Sequence, residues 1–470
     1  MKSFNYLLST ALFVLGMLFI SDTASAQWNT EYQQLVNTKE KNPISVHIIT
    51  LPEKSDSTVT LGIVFSMPYS YLHFKKNDHS NNGNDFSTSL EFNVEVFKNT
   101  KTHSSSNDEF SIEGLEPIAR DFWEDTVYAK NYEQSQSREY FLNRYLKIPL
   151  PPGTYDYVLQ MKKSTDSQSR ISQRQTVHIS SFKNGKKGNV ILGNKLTKEN
   201  GDLQLSLSRL GSNVTYGKNF YMLAYIPDYD STTNYSLEIN NLEVSQKDTS
   251  QSSTVYSHTL SRDDIKTEVL PTLSKDKEGK TQIRLQNIEN SYTYALVKVP
   301  NKKFPNGFYR LTISKSGQDK AIVYETYKSI WVDMPKSLLN LNVAIDMLHY
   351  IVDDKTLDRL SNGSAKEREQ KFHNFWKERD PSPNTDYNEL MAEYYRRIDY
   401  AYNKFSTQNR AGHKSDRGKV YIKFGPPKDM QRKFPTNGPT TEIWTYPSRK
   451  FIFHATTGFG DFKLVSKEKL

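Results

Sequence analysis

The chain has 470 residues, a formal net charge of +9, 12% aromatic residues with 29 Tyr among them, and no cysteine. Without thiols there are no disulfides, no thiolate catalysis and no Cys-based zinc or iron–sulfur site. The length calls for about three domains, and the aromatic content beside 24% charged residues is that of a folded, β-rich chain and not of a disordered tail.

At the N-terminus, Lys2 precedes an apolar run from Leu7 to Ile20, and Ala24-Ser25-Ala26 supplies small residues at cleavage spacing. Residues 1–26 therefore read as a secretory signal peptide. The run is short of the roughly 20 apolar residues of a bilayer span, and no later segment competes with it. The expectation is an exported chain, periplasmic, outer-membrane-associated or secreted, with no transmembrane anchor after cleavage. A lipoprotein would need a cysteine, so none is expected. From Pro335 onward 24 Lys and Arg stand against 17 Asp and Glu. Export argues against nucleic acid as the counterpart. A protein or an anionic envelope component fits better, beside the plainer reading of a solvated basic face.

Strands are expected at 44–50, 59–65 and 90–97, where β-branched and aromatic residues dominate. Further strands are expected at 203–207, 219–225, 235–242, 255–260 and 281–285. A motif repeats across this region. Pro151-Pro152-Gly153-Thr154-Tyr155 and Pro305-Asn306-Gly307-Phe308-Tyr309 each link one strand to the next through a Pro-Gly turn. Pro presets one turn position and Gly tolerates positive φ. Each copy is followed by a polar interval and a last strand, near 176–179 and 324–332. Two β-sandwich domains of immunoglobulin or fibronectin type follow, residues 27–182 and 190–333, joined by a polar Lys183–Asn189 linker. Residues 246–254 read as a Ser-rich hairpin tip.

Asp78, Ser80, Asn82 and Gly83 match the opening of a calcium loop, but Ser89 stands where its bidentate Glu belongs. Asn82-Gly83 reads more simply as a hairpin turn. The ten histidines form no helical pair with ligand spacing. No metal or cofactor is expected.

After Pro335 the period changes from two to 3.6. Leu338, Leu341, Ile345, Leu348 and Val352 mark one amphipathic helix. A second starts at a Ser364/Glu367 capping box and ends before Pro381. A third spans about 386–405 with the stripe Tyr387, Leu390, Tyr394, Ile398, Ala401 and Phe405. Strands are expected at 419–424, 442–446, 450–454 and 462–465. The region 335–470 is thus an α+β domain, helices on a small antiparallel sheet. On the strand at 419–424, period two sets Lys419, Tyr421 and Lys423 on the solvent face. With Lys428, Arg432 and Lys433 they form the expected partner-facing ridge.

Several separated elements of this region fall into one pattern. They are Trp376, Arg379-Asp380-Pro381, Asn388-Glu389, Tyr394-Tyr395-Arg396-Arg397, then Gly412-His413-Lys414-Ser415-Asp416-Arg417-Gly418 and Phe424-Gly425-Pro426-Pro427. The pattern resembles the GWxTD domain of exported bacterial proteins, with His413 where that family has Trp and Ser415 where it has Thr. The resemblance implies a β-rich segment ahead of the domain and names no catalytic residue.

His413, Ser415 and Asp416 carry the letters of a hydrolytic triad, yet such groups normally come from separate segments. A structural role is expected instead. Asp416 would bond loop amides, Arg417 would pair with Asp380 or Glu389, and Gly418 would permit a tight entry into the next strand. The favoured function is a non-catalytic envelope protein that binds or scaffolds through its C-terminal domain. The alternative is a secreted hydrolase of peptides or glycans, with Asp380, Glu389, Asp416 and Glu442 as the carboxylates to inspect.

Overall fold

The computed structural model describes residues 32–36, 44–55, 57–99, 116–163, 165–183, 188–242, 252–318, 320–408, 410–456 and 460–470. The expected signal peptide, residues 184–187 of the expected linker and residues 246–251 of the expected hairpin tip lie outside them. The protein is β-rich, with several sheets, and its longer helices lie in the C-terminal region. It divides into two compact units. One holds residues 40–332 with 384–387, the other residues 1–39, 333–383 and 388–470.

The first unit opens with β1 (Ser45–Pro52), β2 (Val59–Pro68), a single turn α2 (Tyr69–Leu72; α1 is residues 32–36 of the other unit), β3 (Lys75–Asn81) and β4 (Asn84–Lys98). It continues through β5 (Ala119–Ala129), α3 (Tyr132–Ser135), β6 (Phe141–Leu150), β7 (Gly153–Lys163), β8 (Arg170–Ile171) and β9 (Gln175–Ile179). Strands β1, β2 and β6 form one sheet, and β3, β4, β5, β7, β8 and β9 another. Their cores meet where Phe65 of β2 stacks on Phe92 of β4, ring centres 3.9 Å apart. Asn82 and Gly83 join β3 to β4 with φ of 50° and 78°, the two positive values of a two-residue hairpin turn. The calcium-loop letters thus sit in a hairpin.

Next come β10 (Val190–Glu199), β11 (Asp202–Leu207), β12 (Val214–Thr215), β13 (Phe220–Tyr225), β14 (Tyr235–Leu242) and β15 (Ser252–Thr259). They are followed by β16 (Ile265–Lys275), β17 (Thr281–Asn287), β18 (Tyr292–Val299), β19 (Gly307–Lys315) and β20 (Ala321–Ile330). Strands β10, β11, β17, β16, β18 and β13 close into a barrel, and β12, β20, β19, β14 and β15 form an open sheet. Period two divides β13 and β18 between two cores. Met222, Ala224, Ala295 and Val297 face the open sheet. Leu223, Tyr225, Tyr294 and Leu296 face a core shared with Ile49, Leu61 and Phe65.

That sharing explains β2, whose ten residues are all buried. A Cβ on Gly62 would lie 2.7 Å from Leu273 of β16 and 2.8 Å from Ile49, so only glycine lets the two sheets meet there. Further bonds join the same two regions, Asn189 Nδ2 to the Thr50 carbonyl at 2.8 Å and Arg144 to the Gly279 carbonyl at 2.7 Å. The repeated Pro-Gly motif has a structural counterpart. Each copy carries the chain from one sheet to another, β6 to β7 and β18 to β19. In each, a tyrosine hydroxyl closes the corner on a proline carbonyl four residues back, Tyr155 on Pro151 at 2.9 Å and Tyr309 on Pro305.

The second unit contains α1 (residues 32–36), a 3-10 turn Lys336–Leu338, α4 (Leu341–Asp346) running into a 3-10 turn Met347–Tyr350, α5 (Asp354–Ser361), α6 (Ala365–Lys377) and α7 (Glu389–Phe405). After a 3-10 turn at Gly412–Lys414 come α8 (Asp416–Phe424) and the antiparallel meander β21 (Asp429–Lys433), β22 (Thr441–Tyr446), β23 (Arg449–Ala455) and β24 (Phe462–Lys469).

Four expectations are corrected here. The single helix after Pro335 is several short ones, because Asn340 and Asp353 each cap a new start, accepting from Asn342 N at 2.9 Å and from Thr356 N at 2.8 Å. The third helix starts at Glu389, since Asn388 is its cap and accepts from Met391 N at 2.8 Å. Tyr387 lies before that helix and belongs to the β-rich unit, where it packs against Tyr216 and Trp331, and Leu390 is 47% exposed. Lys419–Phe424 is helix, not strand. Ser415 caps it, accepting from Gly418 N at 3.0 Å, and a side chain at Gly418 would strike the Gly412 carbonyl at 2.0 Å.

Candidate functional site

The family-like residues mostly terminate and join helices. The Ser364/Glu367 capping box is formed at the start of α6. At its end, Arg379 donates to the Phe375 carbonyl at 2.7 Å and lies over the Phe375 ring. Asp380 accepts from Ser382 N at 2.8 Å, turning the chain ahead of Pro383. Asn388 donates to the Trp376 carbonyl at 2.7 Å, which ties the end of α6 to the start of α7. Gly412 sits so close to the end of α7 that a Cβ would lie 2.1 Å from the Ala401 carbonyl.

His413 is 1% exposed. Its Nδ1 and the Tyr350 hydroxyl are 2.8 Å apart, and its ring lies among Tyr32, Tyr350 and Tyr402. It therefore occupies a wholly buried aromatic position, and burial, with Lys414 and His349 nearby, lowers its pKa to about 3. Ser415 is committed to backbone. Its hydroxyl donates to the Gly412 carbonyl at 2.6 Å while accepting from Gly418 N. Asp416 accepts from Leu464 N of β24 at 2.9 Å, so it ties helix to sheet instead of closing its own loop. No hydrogen bond joins His413 to Ser415 among the described residues, and the three letters do not make a triad.

Arg417 is buried, and its partner is neither Asp380 nor Glu389. It pairs with Glu442 at 3.4 Å, donates to the Gly460 carbonyl at 2.7 Å and lies over the Phe462 ring at 4.2 Å. Glu442, itself 1% exposed, also accepts from Arg432 at 2.7 Å and from the Trp444 indole at 2.7 Å. Two arginines and an indole thus neutralise and satisfy one buried carboxylate.

A cleft of about 1250 Å³ opens beside this network. Its cations are Arg410, Lys414, Lys419, Lys423 and Lys467, set against the carboxylates Asp346 and Asp416. Tyr350, Val420, Phe424, Phe451 and Leu464 supply aromatic and aliphatic lining. Of the six ridge residues expected from sequence, Lys419 and Lys423 reach this cleft. On a helix, positions four apart share a face, so these two lysines stand together. Tyr421, two positions from each, is turned away, half-buried and stacked on Tyr400 with ring centres 4.4 Å apart. Its pKa is pushed up to about 12, chiefly by burial. Arg432 is engaged by Glu442. Lys428 and Lys433 are exposed at the two ends of β21 and do not line the cleft.

Of the four carboxylates singled out from sequence, only Asp416 lines the cleft. The other carboxylate there, Asp346, was not foreseen. Burial raises its pKa, against the lowering effect of His349 and Lys414. Asp346 and His349, three positions apart on a helical segment, were its only signal in the sequence. Lys467 gave none, because strand β24 extends past the stretch that the alternation marks. Among the described residues, no three His, Asp or Glu side chains converge in a way that could hold a metal ion. The cleft can therefore draw in an anion and offer it apolar contact.

Residues 307–466 match the family model described as GWxTD domain, which reaches back beyond residue 335 to take in β19 and β20. No curated protein matches the chain. Among solved structures, the chain is similar to a Salmonella alpha-2-macroglobulin mutant at 8% identity and a TM-score of 0.12, over 63% of this chain and 17% of that one. The chain spans about a sixth of the length of that structure, and a TM-score so low carries no argument.

Proposed function

From a chain that carries a GWxTD domain, we propose an exported, non-catalytic cell-envelope protein whose C-terminal unit docks an anionic protein or envelope component. Residues 1–26 would direct it across the inner membrane, to act in the periplasm or at the outer membrane. The β-rich unit from residue 40 onward, read from sequence as two sandwiches of immunoglobulin or fibronectin type over 27–182 and 190–333, would serve as its stem, and residues 335–470, with the helix at 32–36 packed among them, as its docking domain.

The observation that carries this reading is the cleft, where five cations outnumber two carboxylates over an apolar floor. Such a surface favours rapid encounter with an acidic partner and excludes basic ones. The commitment of Glu442 to Arg417 and Arg432 supports a scaffold over a hydrolytic pair. The test replaces Lys414, Lys419, Lys423 and Lys467 with Ser and follows crosslinks in the native host. Crosslinks should fall while thermal stability holds, and binding of the wild type should weaken as salt screens charges beyond about 8–10 Å. Unchanged crosslinking in a folded variant overturns the reading.

A hydrolase of peptides or glycans is the second reading, favoured by one observation. Asp346, whose carboxyl burial pushes above its ordinary value, lines the same cleft as Asp416. Asp346→Asn separates the two readings. It should spare partner crosslinking if the cleft only docks, and abolish function in the host if Asp346 works as an acid.

A further inference from the structure

The described N-terminal residues, Tyr32-Gln33-Gln34-Leu35-Val36, form one short helix within the C-terminal unit. A helix of five residues has no stability of its own in water, so its shape comes from what holds it. Tyr32 is fully buried. Its hydroxyl donates to Asp399 Oδ1 at 2.7 Å, and its ring packs edge-on against Tyr402 and His413 with centres 5.1 and 5.5 Å away. Leu35 and Val36 pack against the same core. At the far end of the helix, Lys336 Nζ donates to the Val36 carbonyl at 2.6 Å, satisfying a carbonyl that the last turn leaves open.

The receiving surface is also held by bonds that do not involve the helix. Asp399 is fixed by Lys336 N at 2.5 Å and Ser337 N at 3.3 Å, and His413 by Tyr350. All these groups come from residues 336–413, 300 positions or more along the chain from Val36. The surface thus offers a carboxylate at the bottom of an aromatic slot, an apolar shelf and a cation for a carbonyl. These are the parts of a receptor for a short helical peptide with Tyr at its start and Leu-Val three and four positions on.

We infer that the C-terminal unit carries a peptide-binding site, and that residues 32–36 are its own tethered occupant. This goes beyond the docking role proposed for the cleft, and it bears on that cleft, because Gln33 of the occupant lines it. Release of the segment would reshape the cleft wall and open the slot beside His413 to a second tyrosine-bearing peptide.

The test uses the full mature chain with a protease recognition sequence inserted between Lys39 and Glu40. After cutting, size-exclusion chromatography and mass spectrometry show whether the 27–39 peptide stays with the large fragment. The wild-type peptide should co-elute. A synthetic 27–39 peptide should displace it saturably. A peptide with Tyr32→Phe, which keeps the ring and loses the bond to Asp399, should bind about tenfold more weakly, and one with Tyr32→Ala should not be retained. Because these changes are made in the added peptide, the receptor's own folding is not at stake. Immediate loss of the wild-type peptide after cutting, or equal binding of the Tyr32→Ala peptide, overturns the inference.

Discussion

Strand β2 of the β-rich unit and the motif region of the C-terminal unit are buried by different means. In the β-rich unit, strand β2 is buried along its whole length, and the shared core around it is aliphatic and aromatic. In the C-terminal unit, beside apolar cores, the motif region buries a set of polar contacts: Glu442 with Arg417, Arg432 and Trp444, Asp399 with Tyr32, and His413 with Tyr350. Apolar packing tolerates exchange of similar volumes. A buried charge network accepts few alternatives, since removing one member leaves the others unpaired. The motif region therefore reads as a set of mutually dependent polar contacts, whereas the surroundings of β2 read as volume.

The sharpest way to break this contrast is Glu442→Ala. It strands Arg417 and the Trp444 indole, and should cost the C-terminal unit about 3–5 kcal/mol, measured by denaturant unfolding with separate probes for the two units. A cost below about 1 kcal/mol would mean that water replaces the carboxylate freely. In the β-rich unit the counterpart is Gly62→Val, where the added carbons meet Leu273 and Ile49. Overpacking there should cost about 1–3 kcal/mol. Because the core is shared, residues on both sides of 183–189 should unfold in one shifted transition. Two separate transitions, only one of them displaced, would show that the regions are energetically independent.

A titration sharpens the polar side of the comparison. Burial lowers the His413 pKa to about 3 when folded, against about 6.5 unfolded. The unfolded chain therefore binds the extra proton first. This contribution to stability is complete above pH 6.5 and is lost as pH falls from there towards 3, by at most about 1.4 kcal/mol per pH unit. Asp346 and Asp399, raised by burial, act in the opposite sense, so the His413 part is read as the difference between wild type and His413→Phe. Parallel stability–pH curves would contradict it. The smallest effect expected is that of Ser415→Ala, which removes the α8 cap for about 1 kcal/mol. A markedly larger loss would show that the hydroxyl's bond to the Gly412 carbonyl matters more than the cap.

What could be read from the residues was whatever is decided locally. The Ser364/Glu367 box, the Asn82-Gly83 turn and the paired Pro-Gly corners each depend on a few consecutive positions, and each formed. Lys419 and Lys423 were placed correctly on the surface for a reason that does not discriminate. A spacing of four satisfies both a strand and a helix, and Tyr421, at a spacing of two, is where the periods part. Helix won there because Gly412 and Gly418 allow a backbone approach that no alternation pattern reports. The partners of Arg417 and Tyr32 were illegible because they lie 25 and 367 positions away, and one sequence holds no record of which distant carboxylate a cation or phenol will meet. The full burial of β2 was hidden for the same reason, since its second covering layer comes from β16.

The bond between Tyr32 and Asp399 also sets a timetable. Chains emerge from the ribosome N-terminus first, at about 5–20 residues per second, so Tyr32 is exposed for tens of seconds before its acceptor exists. The β-rich unit, residues 40–332 with 384–387, is made in that interval and can fold within it. The C-terminal unit cannot be completed until nearly the last residue has been added. The earliest described segment of the chain is thus among the last to find its place, and during that wait its Tyr, Leu and Val are available to whatever chaperone reaches them first.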